Sequence, residues 1–167
     1  WSVPTGRITD TPRFGWRGAM LDVARHFFTV KEVTQFIDLL ALYKMNTLHL
    51  HLSDDQGWRI EIASRPELTV KASAGAAFGA PGGFYTKADY AEIVAYAADN
   101  AMVVVPEIDL PGHTHAVGVA YPDLVEDPVL LDSVKDVIER FGGGVPVRGE
   151  HYNGIAVGHS SLRVDHE

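Results

Sequence analysis

The stretch Asn46-Thr-Leu-His-Leu-His-Leu-Ser-Asp-Asp-Gln-Gly-Trp-Arg59 changes character midway. Thr47 to Leu52 is an apolar, β-prone run with the length of a short buried strand. Ser53 to Gly57 leaves that run as a loop dense in polar groups. A second stretch repeats the plan. Met102 to Val105 reads as a buried strand, and Pro106-Glu-Ile-Asp-Leu-Pro-Gly-His113 leaves it with carboxylates and a histidine. In parallel α/β sheets and barrels, chemistry gathers at the C-terminal ends of strands. Asp54, Asp109 and His113 are therefore expected to share one site.

Working outward, Thr29-Val-Lys-Glu32 fits a capping box, and Val33, Phe36, Ile37 and Leu40 recur at helical spacing. The pattern predicts a helix from Val30 to Lys44, directly before the strand. Phe14 to Val23 supplies a first strand and its exit. Ser53 to Tyr85 is long for a connection, whose median is about 4–6 residues, and a loop of that length is usually functional or a cover. Thr86-Lys-Ala-Asp89 offers a second N-cap, and Tyr90, Ile93, Val94 and Ala97 a second amphipathic helix, ended by Asp99-Asn100. Strand, helix, strand, loop, helix, strand is the order of a parallel sheet with right-handed crossovers. Beyond His115 the pattern is less regular. Asp127-Pro128 reads as the N-cap and first residue of a third helix carrying Leu130 to Phe141, stopped by Gly142-Gly-Gly144. A short strand is expected near Ser161 to Val164. Trp1 to Pro12, polar and aperiodic, reads as a lead-in to a domain spanning 13–167.

The 167 residues suffice for one domain with a real core. A hydrophobic fraction of 46% with 22% charged residues is that of an ordinary globular chain. A net charge of −8 argues against nucleic acid and against an anionic membrane surface as partners. No apolar run approaches the ~20 residues of a membrane-spanning helix. Cysteine is absent, which excludes disulfides and thiolate metal sites. Lacking an initiator Met and a signal peptide, the chain is expected to be a piece of something longer.

Several residues admit two readings. Asp54-Asp55 is either a working carboxylate pair or a solvated turn or helix cap. Asp109 and His113 sit in a loop stiffened by two prolines and a glycine, which suits side chains that must be held still and equally suits a rigid structural turn. An Asp beside a His raises the histidine pKa and fixes its tautomer. His49 and His51 share one face of a strand. With His113 and His115 they offer metal ligands, the alternative being histidines hydrogen-bonded within the sheet. Arg17, between Trp16 and Gly18, is a forked donor for a polar ligand or one half of an ion pair. Trp58 is read as a packing residue rather than a sugar platform.

Taken in order, four segments resemble family 20 glycoside hydrolases, the β-N-acetylhexosaminidases. They are Arg17-Gly-Ala-Met-Leu-Asp-Val-Ala-Arg-His-Phe27, His49-Leu-His-Leu-Ser-Asp-Asp-Gln-Gly-Trp-Arg59, Gly82-Gly-Phe-Tyr-Thr86 and Pro106-Glu-Ile-Asp-Leu-Pro-Gly-His-Thr114. The resemblance runs from Pro12 to His115 and continues faintly to Asp165. It implies a (β/α)8 TIM barrel of which this chain covers about the first half, acting on N-acetylhexosamine-terminated oligosaccharides with retention. It implies no metal and no cofactor. Family 20 departs from the two-carboxylate scheme: the substrate's acetamido oxygen attacks the anomeric carbon, a Glu is the general acid, and an adjacent Asp orients the acetamido group. That Asp-Glu pair belongs to a His-x-Gly-Gly-Asp-Glu motif, and this chain contains no Asp-Glu dipeptide. By resemblance, Arg17 binds sugar hydroxyls, and Asp54, Asp109 and His113 form the polar network around the acid. The missing half, or self-association, is expected to cover the open sheet edges, and the location is expected to be secreted or extracytoplasmic. Two readings compete: a metal-dependent barrel hydrolase using His49, His51 and His113, and a non-catalytic sugar-binding half barrel.

Overall fold

A computed structural model describes residues 2–165. Trp1 of the expected lead-in and the domain end at Glu167 lie outside the described residues. Three parallel strands form the main sheet: β1 (Gly18–Asp22), β2 (Thr47–His51) and β5 (Val103–Glu107), in the order β1-β2-β5. The helix α1 (Val30–Leu42) crosses from β1 to β2, and α3 (Lys87–Asp99) leads into β5. Both start as expected. Thr29 and Glu32 close one capping box, and Thr86 and Asp89 close the other. Each box satisfies backbone donors that a helix start leaves unpaired.

Alternation along β2 decides which face meets the helices. Leu48 and Leu50 are buried against Val33, Ile37 and Leu40 of α1 and Ile93 and Ala97 of α3, with Met102 and Tyr85 completing the core. Thr47, His49 and His51 point to the other face. The register aligns residues there in three rows: Gly18, Thr47 and Val103, then Met20, His49 and Val105, then Asp22, His51 and Glu107. The last row lies at the C-terminal ends of the strands and is entirely ionisable.

The long connection after β2 is structured. It holds the hairpin of β3 (Ser53–Asp54) and β4 (Gly57–Trp58), a short helix α2 (Glu67–Val70) and a 3-10 turn at Ala77–Gly79. Its organiser is Arg59, which is fully buried. The guanidinium donates to five carbonyls, those of Val23, Ala24, Ser73, Gly75 and Gly83. The packing leaves no room for side chains nearby: a Cβ on Gly57 would lie 2.4 Å from the Arg59 guanidinium carbon, and one on Gly83 2.4 Å from the Phe27 ring. Trp58 is buried, donating to the Ile60 carbonyl, and belongs to a second core with Leu68, Ala116, Val117 and Val125.

Elsewhere the structure corrects the expected boundaries. The strand read as Met102 to Val105 runs on to Glu107 through Pro106, which is tolerated because β5 pairs on one side only among the described residues. A six-residue helix, α4 (His115–Ala120), follows the loop where no helix was expected. The third expected helix, α5, spans Asp132–Phe141, not Pro128 onward. Val129 donates to the His159 carbonyl at 2.8 Å, so the segment after Asp127-Pro128 is spent on a tertiary contact. The strand expected at Ser161 to Val164 is reduced to two isolated antiparallel bridges, Gly112 with Ser161 and Val125 with Leu162, because neither partner is itself in a strand.

Candidate functional site

The site grows from the ionisable row. Asp22 ends β1, and its Oδ1 accepts from the backbone N–H groups of Ala24 (3.0 Å) and Arg25 (2.9 Å). That turn sends the Arg25 side chain back over the sheet. Arg25 Nη1 lies 2.9 Å from Asp22 Oδ2 and 2.8 Å from Asp54 Oδ2. His51 ends β2 and bridges two carboxylates, with Nε2 2.7 Å from Asp54 Oδ2 and Nδ1 3.1 Å from Glu107 Oε2. Glu107, ending β5, also meets His49 Nε2 at 2.5 Å.

Asp54 is the node. Its side chain is fully buried, and its Oδ1 accepts from the Asp55 amide (2.7 Å) and faces His113 Nδ1 (3.1 Å). Asp109 comes within the same space: single donor atoms of Asp54, Asp109 and His113 all lie within 4.8 Å of one another. The Asp109 amide donates to Ser53 Oγ at 3.1 Å, which fixes the start of the loop.

Burial alone would lower the His51 pKa. Hydrogen bonds to Asp54 and Glu107, with the charges of Asp22 and Asp54, outweigh it and push the imidazole up to about 9. Burial alone would raise Asp54, but the His51 hydrogen bond, the Asp55 amide, the Arg25 charge and His113 hold its carboxyl below the usual range. Glu107 is likewise lowered: its desolvation is outweighed chiefly by His51 and then by His49. At neutral pH the centre is therefore an ion network of carboxylates, an imidazolium and a guanidinium. Arg25 Nη1 and His51 Nε2, 3.1 Å apart, are two donors sharing Asp54 Oδ2.

Asp54, Asp109 and His113 thus come together as expected. Arg17 does not join them. It precedes β1, at the end of the strand opposite Asp22 and roughly 16 Å away along an extended chain. Its guanidinium donates to the carbonyls of Lys44, Phe14 and Gly15. The expectation that Arg17 faces the cluster is corrected: the arginine there is Arg25. Asp22, Arg25 and Glu107 are not among the residues the sequence singles out for the site, and His51 enters there only as a metal ligand or a histidine hydrogen-bonded within the sheet. The signal available was positional, since Asp22, like His51, is the last residue of a strand. The turn that returns Arg25 needed the Asp22 side chain to be placed first.

The histidine metal set also dissolves. His49 pairs with Glu107, His51 lies between Asp54 and Glu107, and His113 meets the other oxygen of Asp54. Among the described residues, the groups that bring donor atoms within 4.8 Å are His51 with Glu107 and Asp109, and Asp54 with Asp109 and His113. Neither includes His49, and the Arg25 cation already lies against Asp54.

Fold and site together define a class: a parallel α/β chain that presents acid–base groups at the carboxyl ends of its strands. The chain belongs to glycosyl hydrolase family 20, whose catalytic-domain profile matches residues 14–148. It is 49% identical over 165 residues to a β-N-acetylhexosaminidase of Cellulomonas fimi, covering 98% of this chain and 29% of that protein. A solved family 20 β-N-acetylglucosaminidase superposes with a TM-score of 0.85 at 57% identity, over 94% of this chain and 32% of the other. The Streptomyces plicatus N-acetyl-β-hexosaminidase, solved with Thio-NAglucal, gives a TM-score of 0.78 at 51% identity, over 95% and 28%. The chain therefore spans about a third or less of the length of these relatives.

Proposed function

We propose that this chain is part of the catalytic (β/α)8 barrel of a β-N-acetylhexosaminidase, which removes terminal N-acetylglucosamine or N-acetylgalactosamine with retention. The observation that carries the reading is the buried node at Asp54. One carboxylate joins Arg25, His51 and His113 where three parallel strands end. In the barrel, further strands cover the face that holds Met20, His49 and Val105. The substrate's acetamido oxygen attacks the anomeric carbon while the general acid protonates the departing glycosidic oxygen. Water then opens the cyclic intermediate from the opposite face, restoring the original configuration. The intramolecular attack removes the entropic cost of bringing in a separate nucleophile.

The described residues supply the setting for that acid. Asp54 and Glu107 are held as carboxylates by their cationic neighbours and are poor proton donors at neutral pH. Asp54, with His113 and Asp109, is suited to hold and tune an acid delivered by another strand. Arg25 takes the sugar-hydroxyl role first expected of Arg17. It lies in the cluster with about a quarter of its side chain exposed.

The test is hydrolysis of a chromogenic N-acetyl-β-glucosaminide by the enzyme carrying this chain, compared with its Asp54→Asn variant. Turnover by the parent and a kcat lower by about 10²-fold or more in the variant are expected. An unchanged kcat would remove Asp54 from the machinery.

A further inference from the structure

Three consecutive residues, Ser53, Asp54 and Asp55, each hold a different point of the loop from Asp109 to His115. Ser53 Oγ accepts the Asp109 amide, Asp54 meets the His113 ring, and Asp55 Oδ1 accepts the His115 amide at 3.0 Å. Ser160 completes the last grip. Its hydroxyl lies 2.5 Å from Asp55 Oδ1 and accepts the Thr114 amide at 2.8 Å. Asp55 and Ser160 are both buried, as are Thr114 and His115. Between these anchors, His113 adopts a φ of 56°, a left-handed conformation that a side chain with a Cβ disfavours. Such a conformation persists only where its surroundings over-determine it.

The rest of the segment is tied in alongside. His159 Nε2 lies 3.4 Å from Asp55 Oδ2, and its ring packs edge-on against Tyr152 and His115, with centroids 4.8 and 5.4 Å away. Gln56 donates to the Gly154 carbonyl, and Leu162 to the Pro111 carbonyl. The segment from Asn153 to Leu162 therefore packs behind the loop that presents His113.

We propose that Asp55 and Ser160 are positioning residues for His113, fixing the backbone of Thr114 and His115 so that the imidazole meets Asp54. The inference rests on the reading of Asp54 and His113 as parts of the reaction site. Neither Asp55 nor Ser160 touches the reacting atoms. They act through the loop.

The experiment uses Ser160→Ala, Ser160→Thr and Asp55→Ala, which removes the Oδ1 that accepts from His115 and Ser160. In the enzyme carrying the chain, labelled with 15N-histidine, and with His113→Gln to assign the signal, the exchange of the His113 Nδ1 proton with water is measured. In the enzyme carrying the chain, kcat and KM are measured for an N-acetylglucosaminide. Ser160→Ala and Asp55→Ala should speed that exchange about tenfold, the scale of one lost hydrogen bond, and Ser160→Thr should restore it. The two disrupting variants should also lower kcat about tenfold with KM little changed. Where Ser160→Ala fails to fold, Ser160→Cys, which fills the space and donates weakly, is expected to show the same acceleration. Folded variants with parental exchange and parental kcat overturn the proposal. A parent enzyme that hydrolyses no N-acetylhexosaminide overturns the assigned reaction, and the His113 exchange still decides the clamp.

Discussion

Two cations meet at one oxygen of Asp54, and this sets how the site responds to pH. His51 has its folded pKa raised to about 9 from a usual 6.5, so its contribution to stability is fully present below about pH 6.5 and is lost as pH rises towards 9. Asp54 and Glu107 have lowered pKa values. Their contribution is present above their usual values of 3.8 and 4.5 and is lost as pH falls through the folded ones. Resistance to urea from this network should thus peak between about pH 4.5 and 6.5. It should decline by an amount of order 3 kcal/mol towards pH 9. His51→Gln should flatten the alkaline decline, and an identical decline in that variant would show that His51 is not its source. The two arginines separate by kinetics. Arg25→Ala should weaken substrate binding by roughly 1.5–3 kcal/mol, the scale of a charged hydrogen bond, with Arg17→Ala close to the parent. The opposite ranking, read from KM and kcat/KM, would return the role to Arg17.

At the scale of elements, what was legible depended on whether the cause was local. Both capping boxes could be read because a cap needs only residues three apart, and α1 and α3 begin where Thr29 and Thr86 place them. The order of strands and helices followed from periodicity, and the meeting of Asp54, Asp109 and His113 followed from that order. The start of α5 was not legible, because the bond from Val129 to the His159 carbonyl is a long-range choice. Nor was the role of Arg59, whose five acceptors come from three separate segments. Its pKa is lowered to about 10 by burial, with the Asp22 charge opposing, so it stays a cation held by carbonyl dipoles. A lysine there offers three donors, leaving at least two buried carbonyls unpaired at about 1–3 kcal/mol each. Arg59→Lys should therefore lose roughly 2–6 kcal/mol in urea unfolding, and also disturb Arg25, because Val23 and Ala24 are among the groups held. A loss below about 1 kcal/mol would mean that the loops hold themselves.

For the whole molecule, the two faces of the sheet differ. One is sealed by α1 and α3, whereas the other leaves Met20 and Val103 more than half exposed, with Trp16 exposed at its edge. Met20, His49 and Val105 form the middle row beneath the ionic one, and Val103 belongs to the lower row with Gly18 and Thr47. Parallel sheets are normally covered on both faces. Further strands of the proposed barrel would bury this face, and on that proposal they bring a general acid over Asp54 in the same step. Residues 1–167 expressed alone should accordingly fail to hydrolyse a chromogenic N-acetylglucosaminide. They contain no Asp-Glu pair, and the carboxylates at the node are held ionised by Arg25 and His51. The same polypeptide should associate with itself through the uncovered face, because apolar rows of this kind seek cover. Met20→Lys, on that face and away from the node, should reduce association measured by sedimentation while leaving the fold seen by circular dichroism intact. Turnover close to that of a complete family 20 enzyme would place a general acid within these residues. A monodisperse, folded, inactive monomer would leave the Asp54 node standing and show that the open face tolerates water.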